Sequence, residues 1–93
     1  MYVILVYDIA SDKEGARVSR RTFKICKKFL THVQKSVFEG QLTVCQLKQL
    51  TTELNQWIRD DRDSVILFKN RNKNWLIKEF IGMDTSEDTS NIF

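Results

Sequence analysis

The sequence predicts an α+β domain in which two helices cover one face of a sheet, and three observations predict it. Tyr2–Asp8 and residues 64–68 are short runs rich in β-branched and aromatic residues, as expected of strands buried on both faces. The stretches after Gly15 and after Thr43 instead carry apolar residues at helical spacing. Between them lie two short extended segments separated by a bend at Gln34-Lys35-Ser36. The resulting β-α-β-β-α-β order is the ferredoxin-like, split βαβ arrangement, here followed by one extra C-terminal strand.

The first strand organises the rest. Tyr2-Val3-Ile4-Leu5-Val6-Tyr7 is nearly continuously apolar and ends on a single carboxylate, Asp8. A strand of this composition belongs in the middle of a sheet, because at an edge it would template aggregation. Asp8 stands where the chain leaves the core, just ahead of Ala10-Ser11-Asp12. It has two readings: a strand-end side chain that caps the following turn, or a ligand that binds a metal or orients water. One carboxylate is a poor metal site, since Mg²⁺ is usually held by one or two carboxylates with waters and substrate phosphates. Asp12 is a candidate second carboxylate; a symmetric dimer that brings two such strands together is another source.

The loop from Ser11 to Gly15 leads into the first helix, whose apolar stripe is Val18, Ile25, Cys26 and Phe29 with Thr22 in the gap. Arg17, Arg20, Arg21, Lys24, Lys27 and Lys28 fall on this helix with no acid among them. At about 100° per residue they project within roughly 120° of one another, far round from the stripe. Such a run is either a solvated face or a phosphate-binding surface. The lack of interleaved Glu, which exposed helices use for i,i+4 pairing, favours phosphates.

Residues 32–34 and 37–42 read as the next two strands, with Gly40 marking a bulge or a close backbone approach. Thr43 is an N-cap, and Gln46 completes a capping box. The second helix then presents Val44, Leu47, Leu50, Leu54, Trp57 and Ile58 as a core stripe. A charged turn, Arg59 to Asp63, precedes the strand at 64–68, and residues 75–81 read as a last strand ending at Gly82. Residues 1–82 thus form the domain, and residues 83–93, with Asp84, Glu87 and Asp88, an acidic tail.

At 93 residues the chain is one domain, and its net charge of +3 is modest, so the clustering of the cations matters more than their sum. Cys26 and Cys45 show no C-x-x-C spacing and fall in helices, which suits buried thiols of a cytosolic protein. A single histidine, His32, excludes the common zinc sites and the Ser-His-Asp triad as a pattern. Met1 leads straight into a strand without the basic and apolar regions of a signal peptide, and no apolar run approaches the ~20 residues of a membrane span. A cytoplasmic protein without membrane contact is expected. Two helices cannot cover both faces of a sheet that is apolar on both, so the uncovered face is expected to meet a second copy, with the 75–81 strand adding to the partner's sheet.

The strings Tyr7-Asp8-Ile9, Arg17-Val18, Val33-Gln34-Lys35-Ser36-Val37-Phe38-Glu39-Gly40 and Asp63-Ser64-Val65 resemble, in this order, the CRISPR-associated endoribonuclease family, the small universal CRISPR adaptation protein. The match runs from Met1 through about Ile81, and the Ser-Asn-Ile-Phe ending is also similar. The resemblance implies a ferredoxin-like homodimer with its sheets face to face. Tyr7, Ser36, Phe38 and Trp75 match the family's sheet and dimer signature. It further implies that Asp8 is catalytic and binds Mg²⁺ or Mn²⁺ near the dimer axis, in a nuclease acting on single-stranded RNA or double-stranded DNA. The wider role it implies is spacer acquisition in antiviral defence, as the central dimer between two dimers of the CRISPR integrase. Arg17 matches the family's basic residue on the first helix, whereas Gly15 stands where relatives are sometimes basic and His32 where they are often basic. These departures weaken an RNA-cleaving site, and the further cations Arg20, Arg21, Lys24, Lys27 and Lys28 suit a surface that bridges duplex DNA.

Overall fold

The computed structural model describes residues 1–72 and 77–84. Its elements are β1 (Tyr2–Asp8), α1 (Gly15–Phe29), β2 (Thr31–Gln34), β3 (Val37–Gln41), α2 (Val44–Asn55) and β4 (Ser64–Asn70). The strands form one antiparallel sheet in the order β2-β3-β1-β4, so β1 lies in the interior of the sheet as its composition predicts. This is the ferredoxin-like topology, with both helices on one side.

Alternation along β1 splits its side chains between two unlike environments. Val3, Leu5 and Tyr7 are buried beneath the helices with Phe38, Leu42, Ile25, Cys26, Leu30, Leu50 and Leu54. Ile4 and Val6 point the other way, opposite Phe68 and Ile66 of β4, which are 55% and 49% exposed. The expectation that these strands are buried on both faces therefore fails within one chain: the second face is apolar and open. Contiguous apolar surface of this kind marks an interaction site.

Local chemistry sets the element boundaries. Glu14, the N-cap of α1, makes no side-chain cap bond. The chain is instead turned into the helix by Asp12, whose Oδ1 accepts from Glu14 N at 3.1 Å and whose carbonyl accepts from Gly15 N at 3.0 Å. Gly15 is required there, because a Cβ would lie 2.1 Å from the Ala10 carbonyl oxygen. The α1 stripe is buried as read at Val18, Thr22, Ile25 and Cys26. At Gly40 the close approach is the correct alternative, with an added Cβ falling 3.1 Å from Leu30 Cδ2; the bulge sits in β2, between His32 and Gln34. Lys35 takes φ 37° to close the β2–β3 hairpin.

In α2 the capping box forms: Gln46 N donates to Thr43 Oγ1 at 3.1 Å, and Thr43 N donates to Gln46 Oε1 at 2.9 Å. Two assignments need correction. Val44, the first helical residue, is 73% exposed and does not belong to the core stripe. Cys45 is exposed rather than buried, while Cys26 is buried and its thiol is pushed up to about 12 by burial. Both residues lie in the first turn of α2 and face solvent there. Trp57 and Ile58 do pack on the core, but from the turn after the helix ends at Asn55.

The last predicted strand, residues 75–81, is expected to pair with a second copy's sheet and not with this chain's own. Residues 77–81 pair with no strand among the described residues, and Trp75, with which it was to begin, lies outside them. Ile77 and Ile81 are 82% and 99% exposed. Lys78 instead forms an ion pair with Glu39, a buried carboxylate on the open face that also accepts from the Tyr2 hydroxyl. Of the acidic tail only Met83 and Asp84 are described. Among the described residues no helix is long and apolar enough to cross a membrane.

Candidate metal and nucleic-acid interface

Asp8 closes the β1–β4 ladder opposite Ser64 and is exposed. Alternation puts it on the same side of the sheet as Ile4 and Val6, at the rim of the open apolar face. Among the described residues its carboxylate makes no hydrogen bond and no ion pair. The turn-capping reading is thereby answered, because the loop after β1 is capped by other carboxylates. Asp63 Oδ1 accepts from Ala10 N at 3.0 Å, and Asp12 accepts from Glu14 N. Asp8 is left available.

Those two capping carboxylates belong to a clamp between the β1–α1 loop and the α2–β4 loop. The Asp63 side chain is fully buried and accepts from Arg59 N at 2.9 Å, Arg59 Nε at 2.9 Å and Arg59 Nη2 at 3.0 Å. Arg59 Nη1 reaches Asp12 Oδ1 at 2.7 Å, and Arg62 Nη1 reaches Asp12 Oδ2 at 2.9 Å. Hydrogen bonds from Arg59 and Arg62 hold the Asp12 carboxyl down to about 2, and those from Arg59 hold Asp63 lower than the usual carboxylate range. Asp12 is thus no second metal ligand: both of its oxygens are occupied by guanidinium groups. Sequence reading missed the clamp, although the i,i+4 spacing of Arg59 and Asp63 carried a signal for it.

Among the described residues no three His, Cys, Asp or Glu side chains gather to hold a metal ion. Asp8 offers a hard oxygen donor of the kind Mg²⁺ and Mn²⁺ prefer. By donor type it fits; by number it fits only when a second copy brings another carboxylate to the same rim.

The cationic stripe of α1 is less uniform than its sequence. The Arg17 and Arg21 guanidinium carbons lie 5.3 and 5.0 Å from the Trp57 ring centroid. Lys28 pairs with Glu53 at 2.5 Å and lies over Phe29, and Lys27 lies 6.0 Å from the Phe23 ring. Arg20 and Lys24 are exposed, make no ion pair among the described residues, and flank a hollow floored by Tyr7 and Phe23. The stripe therefore divides into Lys28, which an acid engages, Arg17 and Arg21, which rest on an aromatic ring without being neutralised, and Arg20 and Lys24, which flank an open hollow.

The signature residues serve the sheet. Tyr7 N donates to the Ser36 carbonyl at 3.1 Å, and the Tyr7 ring stacks on Phe38 at 6.2 Å between centroids. Phe23 and His32 meet Phe38 at 5.4 and 4.8 Å, and His32 Nε2 lies 2.7 Å from the Lys35 carbonyl. This cluster ties the β2–β3 hairpin to β1 on the helix side. Trp75, the fourth of the set, lies outside the described residues.

Comparison with known proteins matches residues 1–76 to the family described as CRISPR associated protein Cas2. The CRISPR-associated endoribonuclease Cas2 of Fusobacterium nucleatum subsp. nucleatum is 47% identical over 93 residues, covering 100% of this chain and 86% of the relative. That of Methanosarcina acetivorans is 34% identical over 92 residues, covering 99% of each. Among solved structures, Streptococcus pyogenes Cas2 superposes with a TM-score of 0.73 at 26% identity, over 86% of this chain and 99% of that one. A further Cas2 crystal structure gives 0.77 at 36% identity, over 90% and 88%.

Proposed function

The chain belongs to the CRISPR-associated Cas2 family, and from that premise we propose that it acts in spacer acquisition as a dimeric scaffold that binds duplex DNA between CRISPR integrase dimers. The observation that carries this reading is the pairing of an open apolar sheet face with an uncommitted carboxylate at its rim and uncommitted cations on the opposite helix layer. Two copies joined through Ile4, Val6, Ile66 and Phe68 turn their helices outward, so that the cationic faces lie on the outside of the pair. Arg20 and Lys24 then meet phosphates by charge neutralisation, which reads backbone and not sequence.

The same pairing brings two Asp8 side chains to a shared rim, where they would hold Mg²⁺ or Mn²⁺. A metal bound there supplies an activated water and charge stabilisation on a phosphate. Endonuclease activity on RNA or DNA is therefore part of the proposal, in keeping with the name endoribonuclease that the relatives carry. Cleavage as the main role is the alternative, favoured by the unpaired state of Asp8. The protein's own residues would divide the work: Asp8 would hold the ion at the rim of the open face, and the clamp at Asp63 fixes the strand end.

Two expected results test the scaffold. Phe68→Asp places a charge within the open apolar face and is expected to sediment as a monomer where the unmodified protein is expected to sediment as a dimer. A Phe68→Asp dimer would refute face-to-face pairing. Arg20→Ala with Lys24→Ala is expected to weaken duplex binding alike for all sequences and to lower the log–log salt slope by about 1.8, at about 0.9 per phosphate contact. An unchanged slope would return these cations to a solvated face.

A further inference from the structure

We propose that Trp57 is a positioning residue that holds Arg17 and Arg21 as a preset pair of phosphate-gripping guanidinium groups. This rests on the duplex-binding reading above and adds to it which arginines grip the strand and what holds them ready.

The placement comes from two unrelated parts of the chain. Arg17 and Arg21 are one helical turn apart on α1, about 6 Å along its axis. Trp57 lies just past the end of α2, and its backbone N donates to the Leu54 carbonyl at 3.0 Å, so the turn that carries it is fixed to the helix. The ring is half-buried against the core and lies under both guanidinium groups, at 5.3 and 5.0 Å. A guanidinium is planar, and the attraction of its face to an indole leaves its in-plane N–H donors available for a second partner. Neither arginine forms an ion pair among the described residues.

The surroundings fit a phosphodiester strand. The hollow between the helices is lined by Arg21, Lys24, Lys28 and Trp57, with Glu53 as its one acid, and that acid is engaged by Lys28. Arg17 and Arg21 are therefore ordered by a contact that does not neutralise them. A side chain already ordered loses less freedom when it meets its ligand, so the ring contributes to affinity without touching DNA. An aliphatic residue at position 57 would keep an apolar contact with the core but offer no aromatic face to either arginine.

The test measures binding of a generic duplex across a salt series. Trp57→Leu is expected to weaken binding about tenfold at fixed salt, the scale of two exposed cation–π contacts, and to make the salt slope shallower. Trp57→Phe, which keeps an aromatic face, is expected to restore most of the affinity. In an Arg17→Ala, Arg21→Ala background, Trp57→Leu is expected to have no further effect. Equal weakening in that background would show that Trp57 acts only through the fold, and unchanged binding by Trp57→Leu alone would also overturn the inference. If Trp57→Leu does not fold, Arg17→Lys with Arg21→Lys keeps both charges but not the planar stack; a severalfold loss supports the inference, and full affinity refutes it. Absence of salt-dependent duplex binding by the unmodified protein would sink both this inference and the reading beneath it.

Discussion

Asp63→Ala is expected to cost the fold on the order of 3 kcal/mol, the scale for removing a buried, multiply bonded carboxylate from its partners. The substitution leaves the Ala10 and Arg59 backbone N–H groups without the acceptor they now share and releases two side-chain bonds of Arg59. For a domain of this size about 1 kcal/mol shifts the melting midpoint by about 4–8 °C. A fall of at least ~10 °C is therefore expected in thermal melts, and a change of less than ~3 °C would mean that the clamp is dispensable. Acid should mimic the mutation. Asp12 is held to about 2 and Asp63 lower still, against about 3.9 for an unfolded aspartate. Their contribution is fully present above the unfolded value and is lost as pH falls through the folded ones. Unmodified protein should lose stability progressively below about pH 4. Asp63→Ala, already lacking one of these carboxylates, should show a flatter acid limb. Equal limbs would place the acid sensitivity elsewhere.

Much of this architecture is legible in the sequence because it is written in local signals. The apolar run from Tyr2 fixes a central strand, the Val18, Thr22, Ile25 and Cys26 spacing fixes a helix face, and Thr43 with Gln46 fixes a helix start; each needs only a few neighbouring residues. What was missed depends on contacts between distant segments. Arg59 to Asp63 reads as a polar turn, since nothing local shows that Asp63 is buried or that Asp12, 51 positions earlier (63 − 12), completes its ion-pair cluster. Trp57 reads as one more apolar residue on a helical stripe, although that stripe's helix stops at Asn55 and the ring serves two arginines of the other helix. Val44 and Cys45 keep the helical period yet face solvent, because periodicity gives a direction and not the distance to a sheet. The 75–81 strand is expected on a second copy's sheet, and accordingly no strand among the described residues of this chain stands beside residues 77–81. Asp8 is the instructive case. Its sequence context fits a turn cap and a metal ligand equally, and only the bonds that Asp63 and Asp12 make to its loop distinguish the two.

Asp8→Ala is expected to abolish metal-dependent cleavage, with a loss of at least ~10²-fold, the scale of deleting one electrostatic contribution to a transition state. It should leave the fold intact. The Asp8 side chain makes no contact on which the sheet depends, and substitutions at such surface positions stay within about 0.5 kcal/mol. Stability, sedimentation and duplex binding should therefore match those of the unmodified protein, while titration with Mg²⁺ or Mn²⁺ should no longer restore cleavage. That separation lets one substitution weigh two roles against each other. A scaffold needs the apolar face, the cationic helix and the clamp, none of which involves the Asp8 carboxylate. A nuclease needs Asp8, which is the uncommitted acid that β1 delivers to the rim of the face. Spacer acquisition in cells carrying Asp8→Ala is expected to continue. Its loss in a protein that still folds, dimerises and binds duplex would make cleavage the function and bridging its by-product. Cleavage persisting at the original rate would instead move the metal away from β1, leaving Asp8 as a polar end to an otherwise apolar strand.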